Sequence, residues 1–485
     1  MSPFPPAAEF AALAPEILLA VCGCVLLLAG VIGRGLSHRI AAGATLASFA
    51  AAAVALAIVR PEYATGRLIL NGGFAIDPFA LFWKGLVILG GALAAIVSLR
   101  FVEEGGQRPG EYYALLLLAS TGMAGMASGY SLLAIWISLE LMALASYVLT
   151  GYFRSQTRSH EAALKYFVLG ALSSGVMLYG ISLVYGATGT LQLDRLAAAT
   201  SAGGGDRVLA FGWLLMLAGL LFKVAAVPFH VWTPDVYTGA PTPVTAFLAA
   251  GSKAISFAVI VRILFQGLPG LAADWKSVLA VVAAATMVWG NVAALTQRNV
   301  KRMLAYSSIA HAGYILMGIV ATNAIGSWAV LFYLASYVFV TFGVFAVVIL
   351  LERGEYAGET TEDFAGLASR APFLSATLVV FLLALTGIPP TGGFVGKLYL
   401  FAAAIQGGWG WLAVIGVLTS AMSLYYYFRL VVAMYQQDAT DATPRPLKSS
   451  SLAAAIAVCV LVTLVLGLYP GPLIDLARSA ALPVP

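Results

Sequence analysis

The stretch Gly219-Leu-Leu-Phe-Lys-Val-Ala-Ala-Val-Pro-Phe-His-Val-Trp-Thr-Pro-Asp235 places a lysine inside an apolar run, with a proline five residues later. A charged side chain near the centre of a bilayer costs roughly 2.5 to 3.5 kcal/mol even on the lenient insertion scale, so Lys223 is a candidate functional residue. Pro228 cannot donate a backbone hydrogen bond, and its ring clashes with the carbonyl group of Val224. We therefore expect the helix to break just after the lysine, as helices do at ion and proton sites.

Composition indicates a membrane protein. Of the 485 residues, 61% are hydrophobic and 10% are charged, whereas ordinary soluble domains carry about 25% charged residues. Apolar runs long enough to cross roughly 30 Å of hydrocarbon recur along the chain, without the short alternating segments of membrane β-barrels. The predicted fold class is an all-α polytopic membrane protein.

Several other classes of site and partner are disfavoured. The formal net charge is +5, but the basic residues are scattered through short loops, so no nucleic-acid partner is expected. Cys22, Cys24 and Cys459 lie in apolar runs without the further ligands that a metal site needs. The sequence has no dinucleotide-binding glycine motif, cysteine cluster or histidine pair at haem spacing. We therefore expect no metal and no electron chemistry in this chain.

The chain contains about fourteen candidate membrane spans. The seventh is interrupted by Pro228 and the twelfth by Gly387-Ile-Pro-Pro-Thr-Gly-Gly393, which holds Pro389 and Pro390, so both are predicted to be broken helices. The spans lie near residues 13–32, 39–59, 78–99, 112–128, 131–152, 161–185, 208–237, 242–266, 275–296, 301–322, 326–351, 372–406, 408–435 and 449–468.

Spans four to eight and nine to thirteen each form a group of five. An odd number of helices reverses orientation, so a duplicated five-helix unit would be inverted in the membrane. Spacing agrees with a duplication, because Glu140 precedes Lys223 by 83 positions and His311 precedes Lys397 by 86. The predicted units are an N-terminal three-helix segment, a first five-helix repeat, a second, inverted repeat and a C-terminal helix, covering residues 1–111, 112–267, 268–437 and 438–485.

Basic residues distinguish the two sides of the membrane. Loops after odd-numbered spans hold fifteen lysines and arginines and the others hold seven, so the odd loops are predicted to face the cytoplasm and both termini the outside. The fifteen are Arg34, Arg39, Arg100, Arg108, Arg154, Arg158, Lys165, Arg298, Lys301, Arg302, Arg353, Arg370, Arg429, Arg445 and Lys448. The seven are Arg60, Arg67, Arg195, Arg207, Arg262, Lys276 and Arg478.

Glu140 is the acidic residue that lies well inside an apolar run. It follows Tyr130 by ten residues, which places it roughly 15 Å deep at a helical rise of 1.5 Å per residue. A structural carboxyl group, protonated or hydrogen-bonded to a neighbouring helix, is the alternative, but intramembrane carboxylates commonly pair with a cation or relay protons. Lys223 is its natural partner, and the pair has the parts of an electrostatic proton switch.

Two further lysines are candidates for the same relay. Lys253 follows Thr242 by eleven residues, roughly 16 Å at the helical rise, and from that depth it reaches neither surface easily. Lys397 follows the Pro389-Pro390 break by seven residues and mirrors Lys223 in the second half.

Two remaining ionisable side chains are less informative. His311 can exchange a proton at neutral pH, and Tyr306, Ser307 and Ser308 could extend its path, but a lone histidine is as often a satisfied core residue. Lys84 follows Pro78 by only six residues, so we expect it to reach the interface as an anchor.

Five segments carry a resemblance to a known family: Trp136-Ile-Ser-Leu-Glu140-Leu, Glu161-Ala-Ala-Leu-Lys-Tyr-Phe-Val-Leu-Gly170, Phe222-Lys-Val-Ala-Ala-Val-Pro-Phe-His-Val-Trp-Thr-Pro-Asp235, Tyr306-Ser-Ser-Ile-Ala-His-Ala-Gly-Tyr314 and Gly387-Ile-Pro-Pro-Thr-Gly-Gly-Phe-Val-Gly-Lys397. Together they resemble the antiporter-like membrane subunits of respiratory complex I, over nearly the whole chain. Three features favour a third member of that family, distinct from subunits L and M. They are lysine at position 397, where subunit M would have glutamate, the 161–170 segment, and the lack of the long lateral helix that subunit L has.

The resemblance implies a fourteen-helix fold with two inverted repeats, each with a discontinuous helix. It implies that Glu140 and Lys223 form an input pair, that Lys253 and His311 continue a central hydrophilic axis, and that Lys397 lies at its other end. Flavin, iron-sulfur clusters and quinone would belong to partner subunits, so no cofactor is assigned to this chain. The implied partners are the neighbouring antiporter-like subunit M, the small subunits K and J, and the lipid bilayer of the bacterial cytoplasmic membrane.

Two alternatives remain open at this point. Subunits of multisubunit cation/proton antiporters, which have no redox partner, resemble the same motifs. A purely structural membrane spacer would instead tolerate Lys223→Ala without loss of proton pumping.

Overall fold

Long apolar helices make up most of this chain. The structure is a computed structural model that describes residues 6–32, 36–104, 108–153, 156–202, 207–352, 358–440 and 443–485. Eleven of the described helices are long and apolar enough to cross a membrane. The predicted all-α polytopic membrane fold is confirmed, whereas the count of fourteen spans stays a prediction.

Each predicted span coincides with one helix or, at the two predicted breaks, with two, and we number the helices by span. They are α1 Ala14–Ile32, α2 His38–Tyr63, α3 Pro78–Glu104, α4 Pro109–Ser128, α5 Leu132–Thr150, α6 Thr157–Thr188, α7a Arg207–Lys223, α7b Trp232–Gly239, α8 Thr242–Gly267, α9 Ala272–Leu295, α10 Val300–Ala321, α11 Ala324–Leu351, α12a Pro372–Thr386, α12b Gly392–Gln406, α13 Gly410–Gln436 and α14 Ser450–Leu468. The short helices are Ala7–Ala11, Leu193–Ala202, Pro269–Leu271, Thr361–Phe364, Leu367–Arg370 and Gly471–Ala480, and the hairpin strands β1 and β2 are Arg67–Ile69 and Phe74–Ile76.

The break predicted in the seventh span is confirmed. Helix α7a ends at Lys223, and Ala225 follows with φ at 60°, a left-handed conformation that costs an alanine roughly 1–2 kcal/mol. The indole of Trp232 donates a hydrogen bond to the carbonyl group of Phe222 at 2.9 Å, which satisfies one of the carbonyls freed at the helix end. The lysine therefore lies at the negative end of a half-helix.

The break predicted in the twelfth span is also confirmed. Helix α12a ends at Thr386 and α12b begins at Gly392, on either side of Pro389-Pro390. Gly387 has φ at 89°, and a Cβ atom at this position would lie 2.8 Å from Cδ of Lys397. Glycine is required here both by the backbone conformation and by the lysine that packs against it.

The central helices carry the buried candidate residues. Helices α8, α10 and α11 are almost wholly buried within the chain, whereas α1 and α14 lie at its periphery. Helix α8 contains two π-helical turns, Leu248–Ser252 and Ile263–Gly267, and Lys253 follows the first of them directly. π-Helical turns are rare in proteins overall, but those that occur are often found at functional sites.

Helix pairing recurs between the two halves of the chain. Helix α4 packs against α5 and α6 against α7a, while α9 packs against α10 and α11 against both α12a and α12b. The same relative positions in two successive groups of five helices support a duplicated unit. The boundaries of the predicted repeats stay a prediction.

Loop contacts agree with the predicted sorting of loops onto two sides. Arg100, at the end of α3, donates to the carbonyl group of Lys448 before α14, and both belong to odd-numbered loops. Ser327, after α10, donates to the carbonyl group of Leu482, beyond α14, at 2.8 Å. Which side faces the cytoplasm stays a prediction, and Arg34, Arg154 and Arg353 of the basic count lie outside the described residues.

Two basic residues differ from their expected positions. Lys84 was expected at the interface, but it is fully buried, pairs with Glu16 and donates to the hydroxyl of Tyr63 at 2.6 Å. Arg262 was counted with the outer loops, but it is 1% exposed on α8 and pairs with Asp77 at 2.7 Å. Depth along a helix says nothing of neighbouring segments, and here a neighbouring helix and a loop supply the carboxylates that hold the two cations inside.

Candidate proton-relay axis

Glu140 lies half-buried on α5 and is held by a serine of the next helix. The Ser174 hydroxyl donates to the Glu140 carboxylate at 2.5 Å, while the indole of Trp136 donates to the same hydroxyl oxygen at 3.0 Å. An indole N–H can only donate, so the serine's own proton is directed at the carboxylate. This arrangement fixes the Glu140 carboxyl group in position.

Tyr147 lies between Glu140 and Lys223. Within the described part of the chain, these two charged residues form no direct ion pair. Nζ of Lys223 instead lies 3.3 Å from the Tyr147 hydroxyl and 5.5 Å from the centre of its ring. Tyr147 follows Glu140 by two helical turns on the same face of α5. Glu140 and Lys223 therefore interact by Coulomb attraction over a distance, without direct contact.

Lys253 is anchored to Ser308, the second of two adjacent serines in the middle of α10. Its Nζ donates to the carbonyl oxygen of Ser308 at 2.9 Å and to the Ser308 hydroxyl at 2.5 Å, and it is 1% exposed. The Tyr337 hydroxyl, from α11, donates to the same serine oxygen at 2.9 Å. Lys253 therefore has polar partners but no carboxylate within ion-pair distance among the described residues.

His311 follows Ser308 by nearly one turn and faces the aromatic residues of α11. Its Nδ1 atom is hydrogen-bonded to the Tyr333 hydroxyl. Its ring lies 5.2 Å from that of Tyr337 and 5.7 Å from that of Tyr314. The imidazole thus contacts the groups on both sides of it along the axis.

Lys397 is held at the end of α12a. Its Nζ donates to the carbonyl oxygens of Leu385 and Thr386 at 2.9 and 2.8 Å and to the Ser420 hydroxyl at 2.8 Å. Nζ also lies 4.7 Å from the centre of the Tyr314 ring. Free carbonyls at a helix end carry partial negative charge, so this site favours a cation.

Hydrogen bonds and ring contacts connect the second half of the axis. They run from Lys253 through Ser308 and the tyrosines around His311 to Lys397. A cavity of about 10 Å³ borders Ser308, close to the roughly 10–15 Å³ that one water molecule needs. Among the described residues, no hydrogen bond joins Lys223 to Lys253, so the axis is interrupted between the two halves.

The structure adds uncharged residues that sequence reasoning missed. Ser174, Tyr147, Tyr333, Tyr337 and Ser420 all contact a predicted ionisable group. Serine and tyrosine occur throughout these helices, so no local signal marks them. Ser308 was predicted and contacts Lys253. Among the described residues, no group of three or more histidine, cysteine, aspartate or glutamate side chains could hold a metal ion.

Comparison with known proteins identifies the family. The family model described as NADH:quinone oxidoreductase/Mrp antiporter, TM matches residues 129–423. NADH-quinone oxidoreductase subunit N of Trichlorobacter lovleyi is 42% identical over 469 residues, which cover 96% of each chain. Subunit N 2 of Rhizobium meliloti is 43% identical over 471 residues, again 96% of each chain.

Solved structures share the fold. A chain of respiratory complex I from Thermus thermophilus is 36% identical, with a TM-score of 0.81 over 96% of this chain and 99% of that one. A chain of the Mrp complex from Dietzia has a TM-score of 0.86 at 24% identity, a likeness of fold alone. The resemblance inferred from the motifs is confirmed: the chain belongs to the NADH:quinone oxidoreductase/Mrp antiporter transmembrane family and, within it, to the subunit N family of NADH-quinone oxidoreductase, respiratory complex I.

Proposed function

We propose that this chain is a proton-translocating membrane subunit of NADH-quinone oxidoreductase. Energy released where quinone is reduced, in other subunits, drives protons through the buried groups of this one. The observation that carries the proposal is the series of buried or half-buried ionisable residues across the chain: Glu140, Lys223, Lys253, His311 and Lys397. Ionisable groups within a membrane are costly, and a series of them is typical of proton relays.

In this proposal the input step is electrostatic. When Glu140 is neutralised or its field is cancelled, the ammonium group of Lys223 loses stabilisation and releases its proton toward the centre. Lys253 next exchanges through the Ser308 hydroxyl, which both accepts and donates. His311 has a second ring nitrogen beyond the Tyr333 bond, so it passes the charge toward Lys397.

The partners in this proposal are other membrane subunits of the complex, namely subunit M, subunit K and subunit J. The half-buried position of Glu140 supports a neighbour beside α5, because a carboxylate at membrane depth needs cover from lipid. Flavin, iron-sulfur clusters and quinone reside in other partner subunits of the complex. The complex lies in the bacterial cytoplasmic membrane, with both termini of this chain on the periplasmic side.

The test is proton pumping by the purified whole complex in proteoliposomes. Lys223→Ala or Glu140→Ala is expected to leave an assembled complex whose pumping and quinone-linked turnover fall by roughly tenfold or more, since a positioned proton-transfer group typically contributes about 100-fold or more. Lys276→Ala is the matched control, because this lysine lies at the edge of α9 against Trp275 and not on the axis. Full pumping in either axis variant would contradict the input pair and favour a structural spacer.

The alternative function is a cation/proton antiporter subunit without a redox partner. Affinity purification of the tagged native chain distinguishes the two. Co-isolation of flavin and iron-sulfur proteins supports the proposal. A complex without them, which exchanges sodium for protons in the absence of NADH, would support the antiporter.

A further inference from the structure

A basic cavity lies at one end of a groove on the outer surface of the helix bundle. The cavity has a volume of about 610 Å³ and is formed by the start of α2, the end of α3 and the residues that lead into α14. Its basic residues are Arg39, Arg100 and Lys448, and its acidic residue is Glu103. Arg39 and Lys448 therefore place positive charge in this cavity, at the level where the helices leave the membrane.

Two of the three basic side chains have no polar partner among the described residues of the protein. Arg39 and Lys448 are exposed, and within the described residues their side chains form no hydrogen bond or ion pair. Arg100 is fixed by its bond to the carbonyl group of Lys448, which ties α3 to the segment before α14. The charges of Arg39 and Lys448 are therefore free to act on a ligand, and Arg100 lies beside them in a fixed position.

An apolar seam continues from this cavity along the same helices. We define the seam as the surface groove that runs along α3 between α2 and α14. Both of these helices contact α3, but they make few contacts with each other in the described structure. Below the basic cluster the cavity wall is apolar, with Leu46 and Leu99, and Gly43 faces open space. A second, largely apolar cavity of about 740 Å³ lies farther along the same helices, between α2, α3, α11 and α14.

We propose that the seam binds an anionic phospholipid, with its headgroup phosphate in the Arg39, Arg100 and Lys448 cavity and its acyl chains along α3. Charge complementarity selects this occupant, because a basic pocket between membrane helices on the cytoplasmic side is suited to anionic headgroups. The odd-numbered loops that form the pocket are those predicted to face the cytoplasm. The proposal is independent of the proton axis, which lies on other helices.

The probe is phosphatidylglycerol with a photoreactive acyl chain, added to the delipidated whole complex in detergent. Labelled peptides are expected to come from α2, α3 and α14. Each basic residue near a membrane surface contributes about fivefold in affinity, so Arg39→Gln with Lys448→Gln should raise the half-saturating lipid concentration roughly 25-fold. High salt should weaken labelling of the wild-type complex, because it screens exposed charges.

Two controls keep the result specific. Arg298→Gln removes an exposed arginine from an odd-numbered loop outside the cavity and should leave labelling unchanged. Gly43→Phe keeps the charges but fills the open space below them, and it should lower labelling without any change in assembly.

Three outcomes would overturn the proposal. One is an unchanged half-saturating concentration in the Arg39→Gln, Lys448→Gln variant. Another is equal labelling by phosphatidylcholine with the same acyl chain, which would show that the headgroup is not recognised. The third is crosslinking of α2 and α14 to another subunit in place of lipid, which would show that a protein covers the seam.

Discussion

Lys397 and Lys223 differ in what surrounds their ammonium groups. Lys397 has two backbone carbonyls and the Ser420 hydroxyl within hydrogen-bond distance, whereas Lys223 has the Tyr147 hydroxyl at 3.3 Å. All of these hydrogen bonds have a cationic donor, and Lys397 makes three where Lys223 makes one, so the ammonium group of Lys397 is more firmly fixed in position. In the proposed relay, Lys223 is therefore the site with more freedom to respond to Glu140.

We expect Lys397→Arg to assemble but to pump poorly. Arginine can keep the contacts with Leu385 and Thr386, since it has five donors, but it does not release its proton at any physiological pH. Pumping by the whole complex in proteoliposomes should fall roughly tenfold or more, as for loss of a proton-transfer group. Lys276→Arg is the control, and normal pumping by Lys397→Arg would show that Lys397 acts only as a fixed charge.

The sequence was sufficient for the ionisable residues of the site and insufficient for their partners. A lysine or glutamate inside an apolar run is conspicuous because the membrane penalises charge. Tyr147 and Ser174 are not conspicuous, because hydroxyl groups are tolerated anywhere that a backbone carbonyl can accept from them. Their roles depend on which helices touch, which only the tertiary structure specifies.

At the scale of helices, buried ion pairs join the N-terminal segment to the rest of the chain. Lys84 on α3 reaches Glu16 on α1, and Arg262 on α8 reaches Asp77 in the loop before α3. Both carboxylate oxygens of Glu16 are buried and have no hydrogen-bond donor in the described structure other than this ion-pair contact. Loss of one partner would therefore leave an uncompensated buried charge.

We expect Lys84→Met to destabilise the subunit by about 3–5 kcal/mol, the usual cost of removing one partner of a buried pair. The double variant Glu16→Leu, Lys84→Met should recover most of that loss, because no charge is left unpaired. Thermal inactivation of the purified complex measures both. If the double variant is no better than the single one, the hydrogen bond between Lys84 and Tyr63 carries the effect instead.

The ion pair between Asp77 and Arg262 can be tested through its dependence on pH. Burial acts to raise the pKa of the Asp77 carboxyl group, but Arg262, the backbone N–H of Ala80 and Lys84 together outweigh burial, and the pKa is lowered from 3.8. A lowered folded pKa means that its stabilisation is present above about pH 4, the unfolded value, and is lost as the pH falls through the folded pKa. Asp77→Asn should therefore cost about 3 kcal/mol, and the cost should be the same at pH 6 and at pH 8.

The measurement is the difference in thermal inactivation between variant and wild type at those two pH values. Glu62→Gln is the control, because its pair with Arg67 is well exposed, and exposed pairs contribute about 0–1 kcal/mol. A difference that grows between pH 6 and pH 8 would mean that Asp77 is not yet ionised at pH 6.

At the scale of the whole molecule, hydropathy and proline positions predict the elements but not their assembly. All predicted spans coincide with helices because the bilayer requires about 20 apolar residues for each crossing and allows little else. The β1–β2 hairpin, the short helix after α14 and the π-helical turns in α8 were not predicted. The two hairpin strands have three residues each, too short for an alternating pattern to mark them, and the π-helical turns lie within one continuous apolar span.

Orientation is the property of the whole chain that the basic-residue count predicts and that labelling can test. In a variant whose own cysteines are replaced, Thr65→Cys in the loop after α2 should react with a membrane-impermeant maleimide in intact spheroplasts. Asp438→Cys, after α13, should react only once the membrane is permeabilised. Both positions are exposed, so exposure within the chain does not separate them. The reverse pattern would place the odd-numbered loops outside, and the Arg39, Arg100 and Lys448 cavity would then face the periplasmic leaflet.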